Sequence, residues 1–169
     1  MEDNITFSTK VAVFDMYKFQ MKHAYHGLQG IIAIVFSIAS LCGYFVYGND
    51  VDPSYKFILL FGGLLFTVII PFTTMHKSMK IIALTPVFRK PLNYTLCDEG
   101  IKVSQEEDEA LLPWENVIKV DEKLGQLCVY SSPRNGYIIP EKQVKESYKS
   151  LKNYILEHVD KEICTVNCK

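Results

Sequence analysis

The chain has 169 residues, of which 49% are hydrophobic and 22% charged, and its net charge is -1. This near-neutral charge argues against a nucleic-acid-binding protein, which needs a basic excess to bind phosphate. The charges are unevenly distributed. Residues 28–75 contain only Asp50, Asp52 and Lys56, whereas residues 81–169 carry 12 basic and 14 acidic residues. The chain therefore combines an apolar first half with a second half of soluble composition.

The N-terminal segment alternates apolar and polar residues over positions 5–10, which predicts a short strand. Asp15 is placed to begin a helix, and we expect this helix to continue through residue 28 into the first apolar run. His23 and His26 lie on this helix, and His76 follows the second apolar run. A metal site of these three residues is conceivable. We favour interfacial anchors, because no carboxylate or thiol accompanies them, and expect no metal and no cofactor.

Two uncharged runs dominate the sequence, at residues 28–47 and 57–75. At about 1.5 Å per residue, each reaches roughly 30 Å as a helix, which is the thickness of a hydrocarbon core. The linker between them, GNDVDPSYK, is rich in turn-forming residues. The first run is too long for a signal peptide and no cleavage site follows it. The runs therefore predict a two-span transmembrane hairpin.

The basic residues predict the orientation of this hairpin. Lysines precede the first run, four basic residues follow the second, and the linker has two acids and one lysine. The positive-inside rule then predicts a multi-pass plasma-membrane protein with both termini in the cytoplasm. The basic residues that flank the runs are Lys10, Lys18, Lys22, Lys77, Lys80, Arg89 and Lys90.

Small residues spaced four apart mark both runs: Ala39 with Gly43, and Gly63 with Thr67. Such pairs let helices approach closely, either within the hairpin or between two copies, so a homo-oligomer stays open. Pro71 is expected to bend the second helix. No ionisable residue lies in the middle of either run, which disfavours a transporter or channel.

The segment after the hairpin changes to a period of two. Tyr94 and Leu96, then Ile101 and Val103, flank a turn that ends at Gly100, which predicts a β-hairpin. The acidic residues 106–109 are interpreted as a solvated loop. Further strands are expected near residues 117–120, 127–130 and 137–139, giving a small antiparallel barrel or sheet.

A closing helix is predicted over residues 141–159, with one buried apolar stripe. A second stripe of lysines lies beside it and is the candidate surface for anionic lipid or a partner, although a solvated helix face explains it more simply. The apolar stripe contains Val144, Tyr148, Leu151, Ile155 and Val159, and the basic stripe contains Lys142, Lys145, Lys149 and Lys152.

Five cysteines occur without a disulfide framework: Cys42, Cys97, Cys128, Cys164 and Cys168. We expect reduced thiols in a reducing compartment. Two thiols on the C-terminal tail make only half of a zinc site, and the role of Cys164 and Cys168 stays open.

Four ordered motifs, NYTLCDEGI, LPWENVIKVDE, LCVYSS and YIIPEK, follow a DMYKF segment and the two apolar runs. This arrangement resembles the YcxB-like bacterial membrane proteins. The resemblance implies an α+β membrane protein, with residues 1–80 forming the N-terminal segment and hairpin and residues 81–169 forming a cytoplasmic pleckstrin-homology-like domain. The residues that carry it are Tyr94, Gly100, Trp114, Val117, Tyr130, Ile139 and Pro140.

The residues of this resemblance are expected to be structural. Trp114 supplies a large aromatic whose indole N–H needs a partner, Gly100 ends a turn, and Pro140 ends the last strand.

The sequence leaves three kinds of function to consider. A membrane-anchored, non-enzymatic binding module, with a lipid bilayer and a protein as partners, is favoured. A small membrane self-protection protein of the immunity type is the alternative. An enzyme is disfavoured, because the sequence lacks nucleophile-elbow, zinc-protease, phosphate-loop and dinucleotide motifs.

Overall fold

A computed structural model describes residues 4–25, 27–47, 49–133 and 135–165, apart from the side chain of Gln29. The chain forms two compact units. The strand unit contains the chain up to Met16 and from Ile82 onward, and the helical unit contains Tyr17–Ile81. The fold is α+β, as predicted, but the N-terminal strand lies in the strand unit. The predicted division at residue 80 therefore differs from the observed one.

Among the described residues, eight strands form the sheets of the strand unit. They are β1 (Ile5–Thr9), β2 (Leu92–Cys97), β3 (Gly100–Gln105), β4 (Asp108–Pro113), β5 (Lys119–Lys123), β6 (Gln126–Tyr130), β7 (Gly136–Pro140) and β8 (Cys164–Thr165). The first sheet has the order β1-β2-β3-β4 and the second has the order β7-β6-β5-β8.

The predicted hairpin around Gly100 is confirmed, with Leu96 opposite Ile101 and Tyr94 opposite Val103. The acidic residues 106–109 were predicted to form a loop, but only half of them do so. Only Glu106 and Glu107 form a turn, and Asp108 already begins β4. Glu106 has φ +58°, which gives the chain the tight reversal that a two-residue turn needs.

Neither sheet closes into a barrel, so this part of the prediction is wrong. Pro113 ends β4, and a 3-10 turn at Trp114–Asn116 carries the chain to the second sheet. Proline has no N–H to extend a strand ladder, and the turn separates β4 from β5. The strands are also not all antiparallel, because β8 pairs with β5 in parallel.

The core of the strand unit lies between the sheets and a C-terminal helix, α5 (Tyr148–His158). The predicted apolar stripe is buried along its whole length. Leu151 and Ile155 are fully covered, and Val144, Tyr148 and Val159 are at most 8% exposed. The same spacing that predicted the stripe therefore correctly identified the buried face.

The closing helix is shorter than predicted. Residues 141–143 form a 3-10 turn, and Val144 leaves the helical region with φ -124° and ψ 28°. The Gln143 side chain holds this segment in place, since its amide and carbonyl each form a 2.8 Å hydrogen bond with the backbone of Lys10. The predicted helix over residues 141–159 is thus divided into two pieces.

The helical unit contains two long apolar helices. The first is α2 (Gly27–Tyr47), and the second is formed by α3 (Pro53–Leu64), a π-helical segment (Leu65–Ile69) and α4 (Ile70–Leu84). Both are long and apolar enough to cross a membrane. Only 17% of the first apolar window and 6% of the second are buried within the described chain, whereas the core helix of a soluble domain is mostly buried.

One continuous helix into the first run was predicted, and this is wrong. A separate helix, α1 (Val13–Ala24), ends before α2 begins at Gly27, whose φ is +70°. A Cβ on Gly30 would lie 2.2 Å from the Tyr25 carbonyl oxygen, so the break between the two helices depends on a close backbone approach at this point.

The small residues Gly43 and Gly63 lie at contacts between the two helices of the hairpin. A Cβ on Gly63 would lie 2.5 Å from the Leu41 side chain, and one on Gly43 would lie 3.4 Å from Leu59. The Ser37 hydroxyl donates a hydrogen bond to the Gly63 carbonyl. Packing within the hairpin therefore accounts for both glycines without a second copy.

Pro71 acts through the π-helical segment that precedes it. In a π-helix each carbonyl pairs with the nitrogen five residues later, so the Phe66 carbonyl would face the nitrogen of Pro71, which has no hydrogen. The Tyr25 hydroxyl donates to this carbonyl instead. A tyrosine 41 residues away thus satisfies the backbone group that the proline leaves unpaired.

Tyr25→Phe is expected to lower the free energy of unfolding of the helical unit by about 1–3 kcal/mol, because the Phe66 carbonyl loses its hydrogen-bond donor. Thermal unfolding of the full-length chain followed by circular dichroism at 222 nm measures the change. Tyr47→Phe is the matched control, since Tyr47 is 62% exposed. Equal effects of the two changes would contradict the assigned role of Tyr25.

Candidate functional site

The four candidate lysines do not form one helical stripe. Lys142 lies in the 3-10 turn and Lys145 in the connection after it, whereas Lys149 and Lys152 lie on α5. Lys142, Lys145 and Lys149 are exposed. The Lys152 side chain is only 13% exposed, and its Nζ is 2.7 Å from Glu122 Oε2. Lys152 therefore joins α5 to β5 and is not part of an open basic surface.

Glu122 accepts a second hydrogen bond on this side of the sheet. The Tyr148 hydroxyl donates to Glu122 Oε1 at 2.8 Å. Burial raises the pKa of Tyr148 well above its ordinary value, and the hydrogen bond to Glu122 raises it further. The phenol stays protonated at physiological pH, so Tyr148 is a donor that orients the carboxylate and not a base.

The three exposed lysines surround a shallow depression of about 460 Å³. Glu141 and Glu146 also line it, so its wall carries two negative charges beside the three positive ones. Such mixed charge is typical of a solvated surface, and attraction to an anionic bilayer would be reduced by the two carboxylates.

A second site, which sequence reasoning missed, is an aromatic stack beside the β2–β3 turn. The ring of His158 stacks on Tyr154 with centroids 4.4 Å apart and on Trp114 with centroids 5.2 Å apart. The indole N–H of Trp114, which was predicted to need a hydrogen-bond partner, donates to the Cys97 carbonyl at 2.9 Å. The stack fixes one end of α5 against the turn that follows β4.

Asp98 closes this cluster from the β2–β3 turn. Its Oδ1 accepts a 3.1 Å hydrogen bond from the Tyr154 hydroxyl and lies 3.6 Å from His158 Nε2. His158 Nδ1 is 2.8 Å from the Tyr154 carbonyl oxygen, which can only accept, so this nitrogen carries a hydrogen. The aromatic pair at positions 154 and 158, four apart on a helix, was the sequence signal that could have revealed the cluster.

A cavity of about 520 Å³ adjoins the stack and has the size of a small-ligand pocket. Its walls combine aromatic, aliphatic and acidic side chains and contain no lysine, arginine, serine, threonine or cysteine. Such a lining can hold an apolar or cationic group. The lining residues are Trp114, Glu115, Val117, Glu157, His158, Val159, Asp160 and Ile163.

The remaining structural residues lie where the fold needs them. Gly100 has φ +150°, and a Cβ there would lie 2.2 Å from the Leu112 carbonyl oxygen. Pro140 is buried and ends β7 directly before the 3-10 turn.

Among the residues that the structure describes, no group of three histidine, cysteine or acidic side chains could hold a metal ion. His23 and His76 are exposed, and His26 lies outside the described residues. Cys42, Cys97, Cys128 and Cys164 form no disulfide bond in the part of the chain that the structure describes, and Cys168 lies outside it.

The geometry defines an α+β protein with a two-sheet domain, a C-terminal helix and a pair of long apolar helices. Residues 98–155 match the family described as YcxB-like protein. This match confirms the family resemblance, and it contains Gly100, Trp114 and Pro140 but not Tyr94. No curated protein and no solved structure matches the chain.

Proposed function

We propose that this protein is a membrane-anchored, non-enzymatic interaction module that displays a pleckstrin-homology-like domain at the inner face of the bacterial plasma membrane. The apolar helices span the bilayer as a hairpin, and the strand unit binds a protein partner beside it. Anchoring raises the effective concentration of the domain for any partner at the same surface.

The proposal rests on the position of the helical segment in the chain, between the paired strands β1 and β2 of the first sheet. Thr9 ends β1 and pairs with Leu92, which begins β2. The chain therefore leaves and re-enters the sheet at neighbouring positions, about 5 Å apart in an antiparallel pair. A segment that starts and ends on one side of a bilayer crosses it an even number of times, which supports two spans.

The exposed side chains of the helical unit support the same conclusion. Large apolar residues cover both helices, among them Ile31, Val35, Phe57 and Phe72, each at least 60% exposed. Leaving so much apolar surface in water is unfavourable at about 25 cal/mol per Å². Lipid removes that cost without any further protein.

The fold of the strand unit supports the proposed type of domain. Two four-stranded sheets with the helix α5 packed against them resemble the helix-capped strands of a pleckstrin-homology-like domain. In the described part of the strand unit, the buried tyrosines Tyr94, Tyr130 and Tyr148 have pKa values raised mainly by burial, which keeps them neutral. None of the three can act as a base near neutral pH.

The proposal predicts that the full-length chain stays in the membrane fraction after alkaline carbonate extraction, with a defined orientation. Asp50→Cys, in the exposed loop between the helices, should react with a membrane-impermeant maleimide in intact cells. Ser131→Cys, in the exposed β6–β7 turn, should react only after the inner membrane is permeabilised.

The unsubstituted chain provides the background from its native thiols in both conditions. Release of the chain by carbonate would overturn the membrane anchor. Labelling of Ser131→Cys in intact cells would leave the anchor but reverse the proposed orientation.

A further inference from the structure

The first sheet ends in an open edge at β4. Within the described residues, β4 pairs with β3 on one side and with no strand on the other. Four successive residues of β4, at positions 108–111, are exposed, so neither face of the sheet is covered at this edge. The structure describes all of β4 and the turns on both sides of it. An edge of this kind presents unpaired backbone N–H and C=O groups to a further strand.

The turn between β3 and β4 determines which backbone groups of β4 point outward. It has two residues, at positions 106–107, so the pair that closes it, Gln105 with Asp108, exchanges backbone hydrogen bonds. Hydrogen-bonded and non-hydrogen-bonded pairs alternate along an antiparallel ladder, so every second residue from Asp108 onward bonds to β3. Glu109 and Leu111 lie between these residues, and they direct their N–H and C=O groups away from β3.

The side chains of Glu109 and Leu111 lie on the outer face of the sheet. Leu112 belongs to the core, and side chains alternate along a strand, so positions 109 and 111 face away from the core. Leu111 is 44% exposed. Its neighbour across the ladder is Lys102, whose Nζ is 3.8 Å from Glu99. A strand added to this edge would place its own side chains beside Glu109 and Leu111.

The charge of the edge specifies the kind of strand that fits it. Lys90 forms an ion pair with Glu106, whereas Glu107, Asp108 and Glu109 have no basic side chain within 4 Å among the described residues. These three carboxylates repel an acidic strand and attract a basic one. A lysine or arginine opposite Glu109, and an apolar residue opposite the exposed leucine of β4, would form favourable cross-strand pairs.

We propose that the β4 edge is the partner-binding surface of the domain, and that its ligand is a basic, extended segment of another protein. The segment pairs antiparallel with β4, because antiparallel pairs are slightly more stable per residue than parallel ones. Since the two strands run in opposite directions, an apolar residue opposite Leu111 is followed two positions later by a lysine or arginine opposite Glu109. This inference rests on the proposed function as an interaction module and names the kind of partner.

The test uses the full-length chain in detergent micelles and the labelled synthetic peptide Thr-Val-Thr-Arg-Thr-Arg, with binding measured by fluorescence anisotropy. Glu109→Lys should bind this peptide at least about tenfold more weakly than the unsubstituted chain does. The same variant should bind a peptide with glutamate in place of the first arginine more tightly than the unsubstituted chain does. Glu99→Lys, in the exposed β2–β3 turn, is the matched control and should bind the original peptide within about twofold of the unsubstituted chain.

Methylation of the peptide backbone tests the strand pairing itself without altering the protein. N-methylation of the first arginine removes an N–H group that faces β4, and it should weaken binding at least about tenfold. N-methylation of the threonine before it removes an N–H group that points away from β4, and binding should stay within about threefold.

No binding at peptide concentrations up to about 1 mM would overturn the proposal. Equal binding of the two methylated peptides would also overturn it, because the contact would then be one of charge and not of paired strands. A dimer of the chain that the peptide dissociates would show that a second copy occupies the edge, and would likewise reject another protein as the ligand. Carbonate extraction and thiol labelling do not involve the peptide, so a negative result here rejects only this binding surface and leaves the membrane-anchored module in place.

Discussion

Gly100→Ala is expected to lower the free energy of unfolding of the strand unit by roughly 3–5 kcal/mol. The added Cβ would lie 2.2 Å from the Leu112 carbonyl oxygen and 2.8 Å from Pro113 Cα. Both are backbone atoms of β4, which Gly100 opposes in the ladder, so neither can move without breaking the β3–β4 pairing. The φ of +150° adds strain for any residue with a side chain.

Gly125→Ala is the matched control for this prediction. Gly125 also has a positive φ, +72°, but the nearest atom to an added Cβ is Glu141 Oε2 at 3.6 Å, an ordinary contact. The control should lose only about 1–2 kcal/mol, from backbone strain alone. Denaturant unfolding of the full-length chain, followed by the fluorescence of Trp114, compares the two. Losses of equal size would show that the close approach to Leu112 is not what requires glycine.

Leu151→Ala is expected to cost about 2–5 kcal/mol, because it opens a cavity in the middle of the core. Leu151 is fully buried on α5, within the cluster that contains side chains of both sheets. Loss of this side chain weakens the packing of α5 on the sheets, and we expect the signal of Trp114 to change at lower denaturant concentration than in the unsubstituted chain.

Leu156→Ala tests whether burial and not helix propensity explains this loss. Leu156 is on the same helix and undergoes the same chemical change, but it is only partly buried. Its replacement should cost less than about 1.5 kcal/mol. A cost for Leu156→Ala as large as that for Leu151→Ala would contradict the placement of the apolar stripe against the sheets.

Local sequence patterns predicted much of the strand unit, because alternation and helical spacing are set by residues that are close together in the chain. The alternation around Gly100 identified the β2–β3 hairpin, and the spacing of Val144, Tyr148 and Leu151 identified the buried face of the closing segment. These patterns report which side of an element faces the core. They do not report how far a helix extends, which is why the 3-10 turn held by Gln143 was predicted as helix.

The candidate site was only partly predictable. Trp114 was identified as a residue whose N–H needs a partner, yet its stacking with His158 joins residues 44 positions apart. Lys152 was a candidate for a basic surface, with a solvated helix face as the favoured interpretation, because its charge repeats along the helix. The structure pairs it with Glu122, on a strand that no periodicity connects to α5.

The sequence by itself determined the two long apolar helices, the existence and faces of most strands, and the family resemblance, because hydrophobic length and periodicity are local properties. The tertiary structure decided three things: that β1 joins β2 across the whole helical insertion, that β8 returns to β5 in parallel, and that the sheets stay open. Each depends on backbone hydrogen bonds between distant segments. Every strand offers the same N–H and C=O groups, so local sequence does not specify which edge a strand will pair with.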